Sequence, residues 1–210
     1  MAKRDLDQHL GSRSETAVHL LNYAIWNVEG LYELAEVDQE EHPHGSNKTP
    51  RGYRATAIRM AHAQWGASTA VSALDRVAAA FGELYLRAVD DAQRAVAGKK
   101  ARNSRSAFAL REVRDKWLGE LPVAEQGWIL DVLKDPNYSD KVAFLRHPLT
   151  HRTTPRRLTV EIGPNGYLYG KALIYNGIGG KEAITAHELV VQSRDVAERH
   201  VRAAICLLCT

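Results

Sequence analysis

The chain has 210 residues, 45% of them hydrophobic and 25% charged, with a formal net charge of +3. These values suit one globular domain with one sizeable core, and no run of 18 apolar residues offers a membrane span. A balance so near neutrality means that an anionic partner has to be recognised by local clusters of charge, not by the chain as a whole.

The opening "MAKRDLDQHL" is charged from its third residue and lacks the apolar core of a signal peptide, so a cytoplasmic location is expected. Residues 1–11 read as a tail. Ser12 or Ser14 is placed to cap a helix whose apolar positions, Ala17, Leu20, Leu21, Ala24, Ile25, Val28, Leu31 and Leu34, recur at helical spacing to about residue 39. Glu33, Glu36, Asp38, Glu40 and Glu41 form an acidic run without a base, expected to be a solvated face. The following "EEHPHGSNKTPRG" is a loop. Its Glu-Glu-His-Pro-His lacks the partner motif that a metal site needs.

A second helical region spans about 52–97, with Ile58, Ala61, Trp65, Val71, Leu74 and Phe81 on its apolar stripe and Gly66 and Gly82 as candidate kinks. A third helix is expected over about 105–118. A fourth opens at Pro122 and runs to about 134, and a fifth covers about 138–146. Pro148 lacks a backbone donor and disfavours helix at His147, so the fifth helix is expected to break there.

Beyond that point the period changes. "RLTVEI" alternates, Asn165-Gly166 is a hairpin turn signal, "YLYGKALIY" is the return strand and "EAI" is a candidate third strand. Thr185 and Glu188 have capping-box spacing ahead of a last helix over about 186–208. Cys206 and Cys209 sit in its apolar end, without the strand-to-helix setting of a redox motif or a second pair for zinc. The expected fold is mainly α: a single helical bundle over 1–210, with a β-hairpin at about 157–175 inserted before the C-terminal helix.

The most informative stretch is "AFLRHPLTHR", residues 143–152. Lys141, Arg146, Arg152, Arg156 and Arg157, with His147 and His151, lie in a segment that has no acid between Lys141 and Val160. Breaking a phosphodiester of RNA requires a base for the 2′-hydroxyl proton and an acid for the leaving oxygen, and histidine does either near neutral pH. Arginine adds a planar, permanently charged fork for the phosphate. Without a metal-ligand cluster, a route that uses no metal and no cofactor is expected.

These residues resemble a known family. "RHPLTH" is similar to the R-x4-6-H motif of HEPN domains, including the polar residue directly after the arginine, and it lies between apolar helices after "FL". The resemblance implies a compact helical bundle that dimerises with two motifs facing each other, and a metal-independent ribonuclease of the toxin–antitoxin or phage-defence kind. RNA, a second copy and a neutralising or regulatory protein are the partners it implies, with no membrane. By the same resemblance Arg146 binds and polarises the phosphate, His151 handles the proton and His147 helps orient the pair. Lys141 and Arg152, close to the motif along the chain, are expected as auxiliary phosphate contacts, and Arg156 and Arg157 either extend that groove or solvate the start of the hairpin. Thr153 stands where several members carry a tyrosine, which argues against the tyrosine-modified subtype. The hairpin departs from the minimal bundle.

The spacing is not specific: Arg4 with His9, Arg13 with His19, and Arg194 with His200 also have it. Only the pair at Arg146 has the apolar lead-in, the proline and the basic surround. Two other functions fit the sequence. One is a non-catalytic RNA-binding or regulatory module using the same basic patch. The other is a helical interaction protein whose acidic run and aromatics, Trp26, Tyr32, Trp65 and Tyr85, face a partner, although such aromatics are expected in the core. His19 and His62 read as surface or boundary residues, and His187 and His200 are placed on the last helix, from which they can approach the motif.

Overall fold

The computed structural model describes residues 14–41, 52–100, 108–150, 156–162, 168–175 and 183–209, and the side chains of 15–38, 58–100, 108–146 and 184–209. The chain is predominantly α-helical, with a small antiparallel sheet before its last helix. Helix α1 covers Ser14–Glu41 and α2 covers Gly52–Phe81. A π-helical turn, Gly82–Leu86, then leads into α3, Arg87–Val96. The expected third helix is a composite: α4 (Leu110–Glu112), a π turn (Val113–Trp117) and a 3₁₀ turn (Leu118–Glu120). Helix α5 is Val123–Lys134, and a π segment, Asn137–Val142, runs into α6, Ala143–Thr150. Strands β1 (Arg156–Ile162), β2 (Leu168–Tyr175) and β3 (Ala183–Thr185) precede α7, Ala186–Leu208. Among the described residues no helix is long and apolar enough to cross a membrane.

Contacts group the chain into two compact units, one of residues 1–27, 72–134 and 197–210, the other of 28–71 and 135–196. In the first, Phe81 and Trp128 meet edge to face with ring centroids 5.3 Å apart, and Trp128 Nε1 donates to the carbonyl of His200 at 2.8 Å. That bond satisfies an indole N–H that burial would otherwise leave without water. The π turn at Gly82 has a packing reason. A Cβ at Gly82 would collide with the Phe108 ring, so the absence of a side chain is what admits Phe108 to the core. The Arg87 guanidinium lies over the same ring, 5.6 Å from its centroid, and its Nε donates to Glu83 at 2.8 Å. Gly82 was a candidate kink, and the helix there widens by one residue per turn instead of splitting.

In the second unit, Leu31 and Ala35 of α1, Met60, Ala63, Ala67 and Ala70 of α2, Val142 and Leu145 near α6, and Leu189 and Val190 of α7 are buried. Small side chains on α2 allow a close helix approach: a Cβ built on Gly66 would lie 3.4 Å from the Val190 Cα. The sheet has the order β1-β2-β3 with both pairs antiparallel, so β1 and β3 run parallel on either side of β2. The hairpin expected at about 157–175 and the third strand are both present. The Asn165-Gly166 turn lies outside the described residues, as does the 1–11 tail.

The start of α7 is fixed by the capping box. Glu188 N donates to Thr185 Oγ1 at 3.1 Å, and Thr185 N donates to Glu188 Oε2 at 2.7 Å. Two backbone donors that a helix start leaves open are thereby satisfied.

Candidate functional site

Helix α6 carries the arginine of the basic segment. Val142 and Leu145 are buried, which anchors one side of the segment, and Arg146 is exposed beside them. Lys141 Nζ donates to Asn137 Oδ1 at 3.3 Å, one turn back. One expectation is corrected here. The helix does not break at Pro148; it continues through it to Thr150. Proline's φ is compatible with helix, and its cost is the bond that the Phe144 carbonyl loses. Phe144 is on the exposed side, where water can supply that bond instead. A turn of the chain between Arg146 and His151 therefore cannot begin at Pro148. His147 lies within α6, with its side chain outside the description, and His151 and Arg152 lie outside the described residues. Arg156 and Arg157 open β1, in register with Ile174 and Leu173 of β2.

A second constellation in the same unit is built around Asp38. Its carboxylate is 1% exposed, and each oxygen has a different imidazole partner. His62 Nδ1 of α2 is 2.9 Å from Oδ1, and His187 Nδ1 of α7 is 2.7 Å from Oδ2. An ionised carboxylate can only accept, so each ring donates to it from Nδ1. The two histidines differ in access. His62 is buried, with the Trp65 ring tilted against it at 6.2 Å, whereas the His187 side chain is 28% exposed. Arg59, one turn before His62, adds a cation. Burial lowers its pKa from the ordinary arginine value, and the charge of Asp38 pulls in the opposite sense. Two turns along α7 from His187, the Arg194 guanidinium covers the exposed Tyr32 ring at 5.0 Å.

This cluster corrects several expectations. The acidic run does not form one solvated face: Glu33 and Glu36 are exposed, but Asp38 is buried. Seven residues separate Asp38 from Leu31, so it falls on the buried stripe of α1, a phase signal present in the sequence. His62 is a core residue, not a boundary one. His187 is drawn to Asp38, and His200 is buried in the other unit with its carbonyl bonded to Trp128. The aromatics expected in the core stand out of it: Trp26 is 58% and Trp65 62% exposed, and Tyr32 is exposed too. Tyr85 is partly buried and donates to Glu125 Oε1 at 2.9 Å. On α2 the expected stripe residues Val71, Leu74 and Phe81 are buried, but in the first half of the helix Trp65 faces out and Met60, Ala63, Ala67 and Ala70 take the buried positions.

No protein-family model, curated protein or solved structure matches the chain. A functional reading therefore rests on the residues themselves.

Proposed function

We propose that the chain is a metal-independent endoribonuclease of the HEPN type, a cytoplasmic homodimer that serves as a toxin or defence effector under the control of a neutralising or regulatory protein. The observation that carries this reading is the exposed Arg146 on a helix anchored by Val142 and Leu145, within an acid-free basic segment. A fixed helix gives a guanidinium a defined position from which to hold a phosphodiester, and no local carboxylate repels it. In this reading Arg146 binds the non-bridging oxygens and His151 moves the proton. His147 orients the pair, and Lys141, Arg152, Arg156 and Arg157 contact neighbouring phosphates. The ribose 2′-oxygen attacks phosphorus and the 5′-oxygen leaves, giving a 2′,3′-cyclic phosphate and a 5′-hydroxyl.

The test is cleavage of a labelled single-stranded RNA by the full chain. Arg146→Ala and His151→Ala are each expected to lower the rate by roughly 100-fold or more with the circular dichroism spectrum unchanged, and a chelator to leave it unaltered. Full cleavage by both variants would rule the reading out. RNA binding that weakens steeply with salt but shows no turnover would leave the segment as a phosphate-binding surface only.

A further inference from the structure

We infer that Tyr23 and Trp26 on the outer face of α1, with Arg76 of α2 beside them, form a stacking surface for the bases of single-stranded RNA; the inference rests on the reading above for RNA as the ligand. His19, Tyr23 and Trp26 are spaced four and three residues apart and so share one face of the helix. All three are exposed, Tyr23 by 52% and Trp26 by 58%. A single exposed apolar residue needs no explanation, but adjacent ones form a patch, and patches mark contact surfaces. The Tyr23 and Trp26 ring centroids are 5.2 Å apart with their planes at 89°, so neither ring covers the other face to face. The edge contact holds the pair in place and leaves ring surface open.

Arg76 supplies the charge. Its guanidinium lies 5.9 Å from the Tyr23 ring centroid, within range of a cation–π contact. Among the described residues Arg76 has no ion pair and no hydrogen bond, and Asp75, its neighbour in sequence, accepts from the Leu110 N–H at 3.0 Å. The Tyr23 hydroxyl and the Trp26 indole N–H also have no partner among the described residues. The patch therefore offers ring faces, hydrogen-bond donors and a positive charge.

A single strand of RNA matches each of these. Its unstacked bases have π faces whatever the sequence, and its phosphates carry negative acceptor oxygens. A guanidinium can stay over the tyrosine ring while its edge holds a phosphate. A protein partner matches less well. The centre of a protein contact is dry and apolar, whereas the exposed residues of α1 from Glu15 to Trp26 are Glu15, Thr16, His19, Tyr23 and Trp26, none of them aliphatic. Apolar groups seated there would strip water from the donors without replacing it. Two acids, Glu15 and Glu29, stand on either side of the row in sequence, which confines the contact to a few nucleotides.

The experiment measures binding by the full chain to two labelled probes that lack a free 2′-hydroxyl and so cannot be cleaved by 2′-oxygen attack. One is a 2′-O-methyl oligonucleotide of mixed sequence, about 12 nucleotides long, and the other is an abasic strand with the same number of phosphates. Trp26→Ala and Tyr23→Ala are each expected to raise Kd for the first probe about fivefold or more, and for the abasic probe by less than about twofold. Trp26→Leu, apolar but without a ring, is expected to behave like Trp26→Ala, and Trp26→Phe to stay within about threefold of the unaltered protein. Arg76→Ala is expected to weaken both probes and to reduce the slope of log affinity against log salt by about 0.7. Urea unfolding is expected to leave all of these variants as stable as the parent, since the side chains removed are exposed.

Unchanged binding by folded Trp26→Ala and Trp26→Leu overturns the inference, as does an equal loss on the abasic probe or a parent protein that does not bind the first probe. Cleavage of labelled RNA by the parent, abolished in Arg146→Ala, would leave the ribonuclease reading standing in those cases. Binding with the expected losses, by a parent that does not cleave RNA, would remove the ribonuclease reading and keep the surface. Self-association that sedimentation shows in the parent but not in Trp26→Ala, with oligonucleotide binding unchanged, would make this face a protein contact and overturn the inference.

Discussion

Asp38 and His187 are 149 residues apart in sequence and 2.7 Å apart in space. Asp38 lies in the last turns of α1, where the helix dipole disfavours a negative charge, and His187 lies in the first turn of α7. The carboxylate is nevertheless buried, because the His62 and His187 rings replace water at its two oxygens and the charge of Arg59 acts on it as well. One side chain thus joins α1, α2 and α7, and it does so with a group whose removal leaves two imidazole donors without their acceptor.

Asp38→Ala is accordingly expected to destabilise the protein by roughly 2–5 kcal/mol, the range for removing one partner from a buried charged network. Urea unfolding followed by circular dichroism measures this. A loss below about 1 kcal/mol would mean that the two imidazoles find other acceptors.

Gly82→Ala places a methyl group against the Phe108 ring, which Arg87 and Trp117 also contact. Overpacking of this kind costs about 1–3 kcal/mol. Thermal melts should show a clear drop for Gly82→Ala and little change for Gly30→Ala, where a Cβ meets nothing within 4 Å. Equal behaviour of the two variants would contradict the packing account of the π turn.

Tyr85 is pushed up to about 12 by burial, with the hydrogen bond to Glu125 and the charge of that carboxylate adding to the shift. The folded state thus favours the neutral phenol relative to an unfolded tyrosine, which ionises near 10. The contribution to stability is complete below about pH 10 and is lost as the pH rises toward about 12. Ultraviolet titration of tyrosinate should show a late-ionising group that Tyr85→Phe removes. The same variant should flatten the alkaline decline in stability over that interval.

What the sequence determined by itself is local. Ser14 at the start of α1, the proline ahead of α5, the reciprocal Thr185–Glu188 cap and the alternation in "RLTVEI" mark elements that the fold contains close to the expected limits. These signals act within about one helical turn or between adjacent strands, so the residues that carry them are neighbours in the chain. The exposed placement of Arg146 is partly of this kind, since buried Val142 and Leu145 flank it. Tertiary structure decided the rest. It turned the alanine stripe of α2 inward and Trp65 outward, because close helix packing rewards small residues where another backbone approaches. It kept Pro148 inside α6 and placed a π turn at Gly82, where Phe108 needs the space. It also buried Asp38, which an acidic run of sequence would leave in water. The two histidines that make this burial affordable arrive from α2 and α7, and no local pattern around residue 38 announces them.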